Sequence, residues 1–276
     1  MRNRIVPTIA AVAGLALLFN LLPSAADAAA WTRRQGEFLF VIPVEYFFAD
    51  EQFDGDGDRV DRDKFEQVEL APYLEFGLTD YLTVGAQPKY RWVKLDTPGG
   101  SIDNEGLAET DVFTRVRLWH DGQAAFSIQG LVKVPIEADE GDDLPIGREQ
   151  VDVELSALFG NGHSLDGGRI FYNLELGFRK RFDDPADEVH GDAFLGWTGG
   201  AWTVILHALN TIGLNSNADD AEVLTAEPEY RRHKAQLTLA YQVTDTTSLV
   251  AGASTTYAGR NVGVGHSGFL SAVFRF

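Results

Sequence analysis

From about residue 36 to its last residue, the chain repeats one pattern: apolar side chains at every second position, a break, and then the same again. Alternation with period two belongs to β-strands that present one apolar face. Twelve such segments can be marked, at 36–49, 63–77, 81–95, 107–119, 122–136, 148–159, 168–182, 189–198, 201–213, 228–242, 247–258 and 266–276. Over 81–95, Leu82, Val84, Ala86, Pro88, Tyr90 and Trp92 oppose Thr83, Gly85, Gln87, Lys89 and Arg91. Over 168–182, Ile170, Tyr172, Leu174, Leu176 and Phe178 oppose Asn173, Glu175, Gly177, Arg179 and Arg181. Beyond the first 28 residues no apolar run reaches the ~20 residues of a membrane-spanning helix. Mean hydropathy is only −0.12, an average that a sheet facing lipid with every second residue also gives.

The connections are of two kinds, and they interleave. Those at 77–80, 120–122, 161–168, 198–200 and 243–246 are short and hold the Gly, Asn and Asp that tight turns need. The others, at 50–63, 96–106, 137–147, 183–188 and 214–224, are mostly longer and acidic, while the last, 259–265, carries Arg260 and no acid. A soluble sandwich has no reason to sort its loops this way. A barrel crossing a membrane does, with short turns and both termini on one side and long loops on the other. In lipid an open sheet edge would leave backbone groups unpaired at several kcal/mol each, so the first strand has to close on the last. The expected fold is all-β, a transmembrane antiparallel up-and-down β-barrel of about twelve strands, with a soluble secreted barrel or sandwich as the alternative. Aromatic residues near strand ends (Trp31, Phe47, Phe48, Tyr81, Trp92, Trp119, Trp197, Trp202 and Phe276) suit interfacial belts. Pro43, Pro72, Pro88 and Pro135 are expected to interrupt the strand ladders.

Residues 1–28 read differently. Arg2 and Arg4 precede the apolar stretch 9–22, and Ala26-Asp27-Ala28 follows it. That is the layout of a secretory signal peptide, with an apolar part too short for a comfortable bilayer span. The expected organisation is a cleaved signal peptide over 1–28 and the barrel over 29–276. The chain has no cysteine, which excludes disulfides, a thiol nucleophile and a cysteine metal site. Its formal net charge of −18 argues against nucleic acid as a partner and for solvated, cation-attracting loops. Removing a leader that carries two arginines and one aspartate makes the mature chain one unit more negative.

The last strand ends Ser267-Gly268-Phe269-Leu270-Ser271-Ala272-Val273-Phe274-Arg275-Phe276. A final alternating strand closed by Phe resembles the C-terminal signature of bacterial outer-membrane β-barrels. The resemblance implies that Phe274 and Phe276 form the signal read by the barrel-assembly machinery. It also implies residence in the bacterial outer membrane, among its lipid and lipopolysaccharide.

The inward face is where function would lie. Glu69, Glu75, Lys89, Arg91, Asp111, Arg115, Arg117, Lys133, Asp152, Glu154, Glu175, Arg179, Arg181, Arg232 and Lys234 are expected to point into the lumen. Charges of both signs there have two readings: a paired network that fills a narrow interior, or a field across a wet pore that selects polar or charged solutes. Asp54, Asp56 and Asp58 are spaced like the start of a calcium loop, but the sixth position is Arg59 rather than Gly and the twelfth is Phe65 rather than Glu. Only loose divalent-cation binding by an acidic loop is expected, and no other cofactor.

The outer-membrane phospholipase family is also twelve-stranded, with its catalytic His and Ser on one lipid-facing strand. Here His266 and Ser267 are adjacent and face opposite sides, and His163-Ser164 is placed in a turn. No catalytic residue and no enzyme activity is expected.

Three further stretches carry a closer resemblance: Tyr73 to Gly85 (YLEFGLTDYLTVG), Asp111 to Trp119 (DVFTRVRLW) and Val132 to Pro135 (VKVP). Together they resemble the outer-membrane proteins grouped with the phenol meta-degradation pathway, transporter-like barrels of similar length. The resemblance implies passive passage of small solutes, aromatic or hydrophobic compounds among them. Two other functions stay open: an export or secretion-associated component, for example for exopolysaccharide, and a structural or surface-interaction barrel with a sealed lumen. Only residues 29–35 precede the first strand, too few for a hatch domain, so any constriction is expected from lumen side chains or a folded-in outer loop. N-terminal sequencing of protein recovered from outer membranes is expected to begin near Ala29; a sequence beginning at Met1 would contradict the cleaved leader.

Overall fold

Backbone pairing closes the chain on itself. A computed structural model describes residues 30–136, 144–147, 150–182, 186–214 and 230–276. The proposed leader and the acids expected at 139, 140, 142, 143, 183, 184, 219, 220 and 222 lie outside the described residues. The elements are β1 (Phe38–Phe53), β2 (Arg59–Leu70), β3 (Tyr73–Thr79), β4 (Leu82–Thr97), β5 (Gly100–His120), β6 (Ala124–Pro135) and β7 (Asp152–Leu165). They continue as β8 (Gly168–Arg181), β9 (Glu188–Gly199), β10 (Trp202–Gly213), β11 (Arg231–Gln242), β12 (Thr247–Arg260), β13 (Val262–Gly263) and β14 (His266–Arg275).

β2 and β3 are two halves of one strand, since both pair with β1 and with β4. They part at Ala71-Pro72, where proline has no N–H to give the ladder. β13 is a two-residue bridge from the last outer connection onto β1. The result is a closed antiparallel barrel of twelve strands, without a helix among the described residues. The seam is β1 against β14, from Leu39 opposite Arg275 to Phe48 opposite His266. Phe38 N–H donates to Phe276 O at 3.0 Å and Phe276 N–H returns to Phe38 O at 2.9 Å. Phe274 stacks on Phe40 and Phe276 lies against Phe38, each pair with centroids 6.3 Å apart. The C-terminal aromatics therefore sit on the outside, across the closing seam.

The alternation sorts the two sides as the sequence pattern requires. Val44, Leu107, Val112, Leu155, Leu176, Leu206, Leu249 and Leu270 are exposed on the outer wall, forming an apolar band that suits lipid and no aqueous surface. Tyr81, Trp119, Trp197, Trp202 and Phe276 are exposed near the short-turn end, and Trp92 near the other. Two expected belt residues do not belong there. Trp31 and Phe47 are buried inside the barrel, Phe47 because it falls on the inward parity of β1 and Trp31 because its segment leaves the wall.

Several expected loops turn out to be strand. β1 and β2 leave only residues 54–58 as their turn, and β4 and β5 pair outward to Thr97 and Gly100. β7 runs to Leu165, so 161–165 is strand and His163-Ser164 lies near the end of β7 rather than in a turn. These hairpins stand out in water, where both faces are polar and alternation disappears although the backbone still pairs. Conversely, β7 begins only at Asp152, later than its apolar pattern suggests.

Three inward glycines lie directly opposite inward phenylalanines: Gly85 opposite Phe113, Gly196 opposite Phe171, and Gly252 opposite Phe269. The ring covers the bare Cα in each case. A Cβ on Gly85 would stand 2.2 Å from Phe113 Cζ and 2.5 Å from the Leu74 carbonyl oxygen, which is backbone and has little freedom to move. Gly85→Val is expected to destabilise the barrel by about 1–3 kcal/mol or more through overpacking, read as a lower temperature of heat-modified gel migration; an unchanged temperature would contradict this packing.

Candidate functional site: the charged interior

The inside of the barrel is layered along its axis. At the short-turn end, Ala30, Trp31, Ala125, Leu158, Phe171, Phe194 and Ile205 form one apolar cluster. At the far end, Phe47, Ala49, Phe65, Val93, Leu95, Leu144 and Ile146 form another. Charge fills the middle. All fifteen residues expected in the lumen are buried except Arg117, Glu175 and Arg232, which are half-buried.

The charges are paired in three groups. Lys89 Nζ lies 2.8 Å from Asp111 Oδ2 and 3.3 Å from Glu109 Oε1. Arg91 donates from Nε to Glu69 Oε2 at 2.6 Å and holds Glu109 with both terminal nitrogens, at 3.0 and 2.7 Å. A bulge makes this possible: Pro88 pairs with Thr110 and Tyr90 with Leu107, so Ala108 and Glu109 face the single residue Lys89. The second group spans β6 to β9. Lys133 meets Asp152 at 3.2 Å, Arg179 meets Glu154 at 2.7 Å, His190 Nε2 lies 2.9 Å from Glu188, and Arg181 pairs with Glu188. The third centres on Glu75, which accepts from Arg33 Nε at 2.6 Å, Arg115 Nη1 at 2.9 Å and the Tyr73 hydroxyl at 2.6 Å.

The opposite wall is different. β10, β11, β12 and β14 turn Thr211, Thr238, Ser248, Ser254, Thr256, Ser267 and Ser271 inward, interspersed with the apolar Ile205, Val250, Phe269 and Val273 and with Lys234 as their buried charge. A mixed hydroxyl and apolar wall thus faces an ionic one across the lumen.

Two chain segments enter this space. Residues 30–33, ahead of β1, run inside the barrel while Arg34 and Gln35 are exposed, contrary to the expectation that so short a lead could not constrict it. The Trp31 ring covers the bare Cα of Gly160, where a Cβ would stand 2.1 Å from it, and a Cβ on Gly77 would stand 1.9 Å from Arg34 O. Ala30 N–H donates to Asn173 Oδ1 at 3.1 Å, and Arg115 donates from Nη1 to Trp31 O at 3.4 Å. From the other end, the described residues 144–147 of the β6–β7 connection turn inward, with Ile146 O accepting from Arg91 at 2.9 Å and Leu144 O from Asn104 at 2.9 Å. Arg91 and Arg115 each tie one entering segment to the ionic wall.

Interior parity located the wall charges in the sequence, but not all of them. Glu45 and Glu109 also lie on inward parity, and Glu188, a loop acid by sequence pattern, is the first residue of β9. Arg33 lies outside any alternating segment and left no signal.

The acidic turn reads less like a cation site. Asp54 Oδ1 accepts the N–H groups of Asp56 and Asp58, both at 2.9 Å. The N–H groups of Asp58 and Asp56 hold its carboxyl below the usual carboxylate range. Its oxygen serves the turn, and no group of three or more metal-ligating side chains converges among the described residues. His266 and Ser267 face opposite sides: His266 Nδ1 lies 3.0 Å from Thr255 Oγ1 outside, and Ser267 bonds Ser254 inside at 2.6 Å.

No protein-family model and no curated protein sequence matches the chain. Among solved structures, it is similar to an outer membrane channel from Pseudomonas putida F1, over 93% of this chain and 100% of that one, with 16% identity and a TM-score of 0.69. It is also similar to the NanC porin, over 85% and 98% of the two chains, with 8% identity and a TM-score of 0.50. At these identities the likeness is one of fold, and that fold is the outer-membrane β-barrel. Replacing Trp31 and Arg33 together by Ala is expected to leave the barrel closed. It should speed amide exchange of residues 30–35 by about a hundredfold, the factor that ~3 kcal/mol of lost anchoring gives; unchanged exchange would mean that other contacts hold the segment.

Proposed function

We propose that this protein is an outer-membrane channel for small solutes, with the short turns in the periplasm and the long hairpins outside. The observation that carries the reading is the two-sided interior: an ionic wall from β2 to β9 faces a wall of hydroxyl and apolar side chains from β10 to β14. A barrel that only had to be filled would do so with apolar side chains, as this one does near both ends, because buried ion pairs seldom stabilise more than apolar replacements. Ionic side chains along one side of a passage instead offer polar contacts by which polar or charged solutes can be selected. Residues 30–33 and 144–147 are its constrictions.

The family resemblance adds aromatic or hydrophobic compounds as the solute class. A ring bearing a polar group suits this interior better than a bare hydrocarbon. The same reading makes the lipid and lipopolysaccharide of the outer membrane the surroundings of the apolar band, Phe274 and Phe276 the contact for the assembly machinery, and divalent cations loose counter-ions of the acidic turns. No catalytic step is assigned. A sealed barrel is the second reading, favoured by the hold of Arg91 and Arg115 on the two entering segments.

Single-channel recording on the refolded mature protein separates the two. Wild type is expected to conduct in steady steps. Arg115→Ala, which frees the Trp31 carbonyl and removes a lumen cation, is expected to raise conductance severalfold and shift selectivity toward cations. Absence of conductance from a correctly folded barrel, in wild type and variant alike, would sink the channel reading.

A further inference from the structure

Glu45 stands apart from the paired carboxylates around it. It is 2% exposed, it projects inward from β1, and neither of its carboxylate oxygens accepts a hydrogen bond. Its register partners are Glu69 on β2 and Phe269 on β14. Three neighbouring groups are also buried with an unmatched atom: Glu69 Oε1, Gln67 Nε2 and Ser271 Oγ. Glu69 gives only its other oxygen to Arg91, and Ser267, the next hydroxyl on β14, is engaged with Ser254 at 2.6 Å. Lys234 and Arg91 are the nearby cations and the Ser267 hydroxyl faces Glu45, yet none of the three comes within ion-pair or hydrogen-bond distance of its oxygens. Across three adjacent strands the barrel thus holds a concentration of unused acceptors with one unused amide donor.

Unused carboxylate oxygens in a buried setting call for a donor-rich, positively charged occupant. The formal charge of −18 and the acidic hairpin turns raise the local concentration of such solutes at the mouth. We propose that Glu45, with Glu69, Gln67 and Ser271, forms a recognition station in the lumen for small organic cations carrying an ammonium or guanidinium group. The station deepens the channel reading and rests on it for its place in a passage. Glu45 binds the cationic head, and Lys234 opposes it by charge.

The test uses the full mature barrel, refolded in detergent, titrated with guanidinium and ethylammonium and with neutral urea as control, and followed by ligand-detected magnetic resonance. The expected result is saturable binding of both cations and not of urea, weakened at least tenfold by Glu45→Gln and tightened by Lys234→Gln. Opposite signs in two near-isosteric variants would not come from a general loss of fold, which heat-modified migration checks independently. Binding that is absent, or equal in wild type and Glu45→Gln, overturns the station. The same samples in planar bilayers keep the two readings apart. Conductance without cation binding leaves the channel standing and removes the station. Binding without conductance leaves the station standing and removes the channel.

Discussion

Everything in this molecule depends on the requirement that backbone N–H and C=O groups be paired where water is absent. An open sheet cannot meet it in a bilayer, so the first and last strands must find each other. They do so from Phe38 to Phe48 on one side and from Phe276 to His266 on the other. Once the sheet closes, strand geometry leaves only two directions for a side chain, and each direction has one solvent. The outward face meets lipid and is apolar. The inward face meets its own opposite wall, and its composition is free to vary. That freedom makes the inside, rather than the barrel as such, the place where function is written.

The inside combines two ways of filling space. Apolar clusters near the ends are made partly by chain that has left the wall, Trp31 at one end and Leu144 and Ile146 at the other. Between them lies a belt of ions held by short contacts. Such a belt persists only because nearly every charge has a neighbour of opposite sign, since a buried ion left alone costs about 3–5 kcal/mol. The bulge that sets Ala108 and Glu109 against Lys89 shows the wall adjusting its register to supply a partner. The same economy makes the unmatched oxygens of Glu45 conspicuous. Arginine appears where a segment has to be tied down, because its planar fork can hold a carboxylate and a backbone carbonyl together, as Arg91 does with Glu109 and Ile146.

Much of this was legible beforehand. Alternation located every stave, interleaved connection lengths gave the up-and-down order, and parity put Lys89, Arg91, Asp111, Glu154 and Arg179 inside. Strict parity breaks at the end of β5, where a register shift between Arg117 and Trp119 leaves the consecutive Leu118 and Trp119 both on the outside. The reading also stopped too early at the hairpin tips, because in water both strand faces are polar and period two has nothing to mark it.

What the sequence determined by itself is the wall: a two-residue period is a local property, and lipid outside makes it strict. What only the tertiary structure decided is the contents. Which acid meets which base, that residues 30–33 run inside, and that Glu45 is left unmatched all depend on distances across the lumen between residues far apart in the chain. Arg33 reaches Glu75, and Arg91 reaches the carbonyl of Ile146. No local pattern encodes those distances, since they are set by how far twelve strands stand from one another once the sheet has closed.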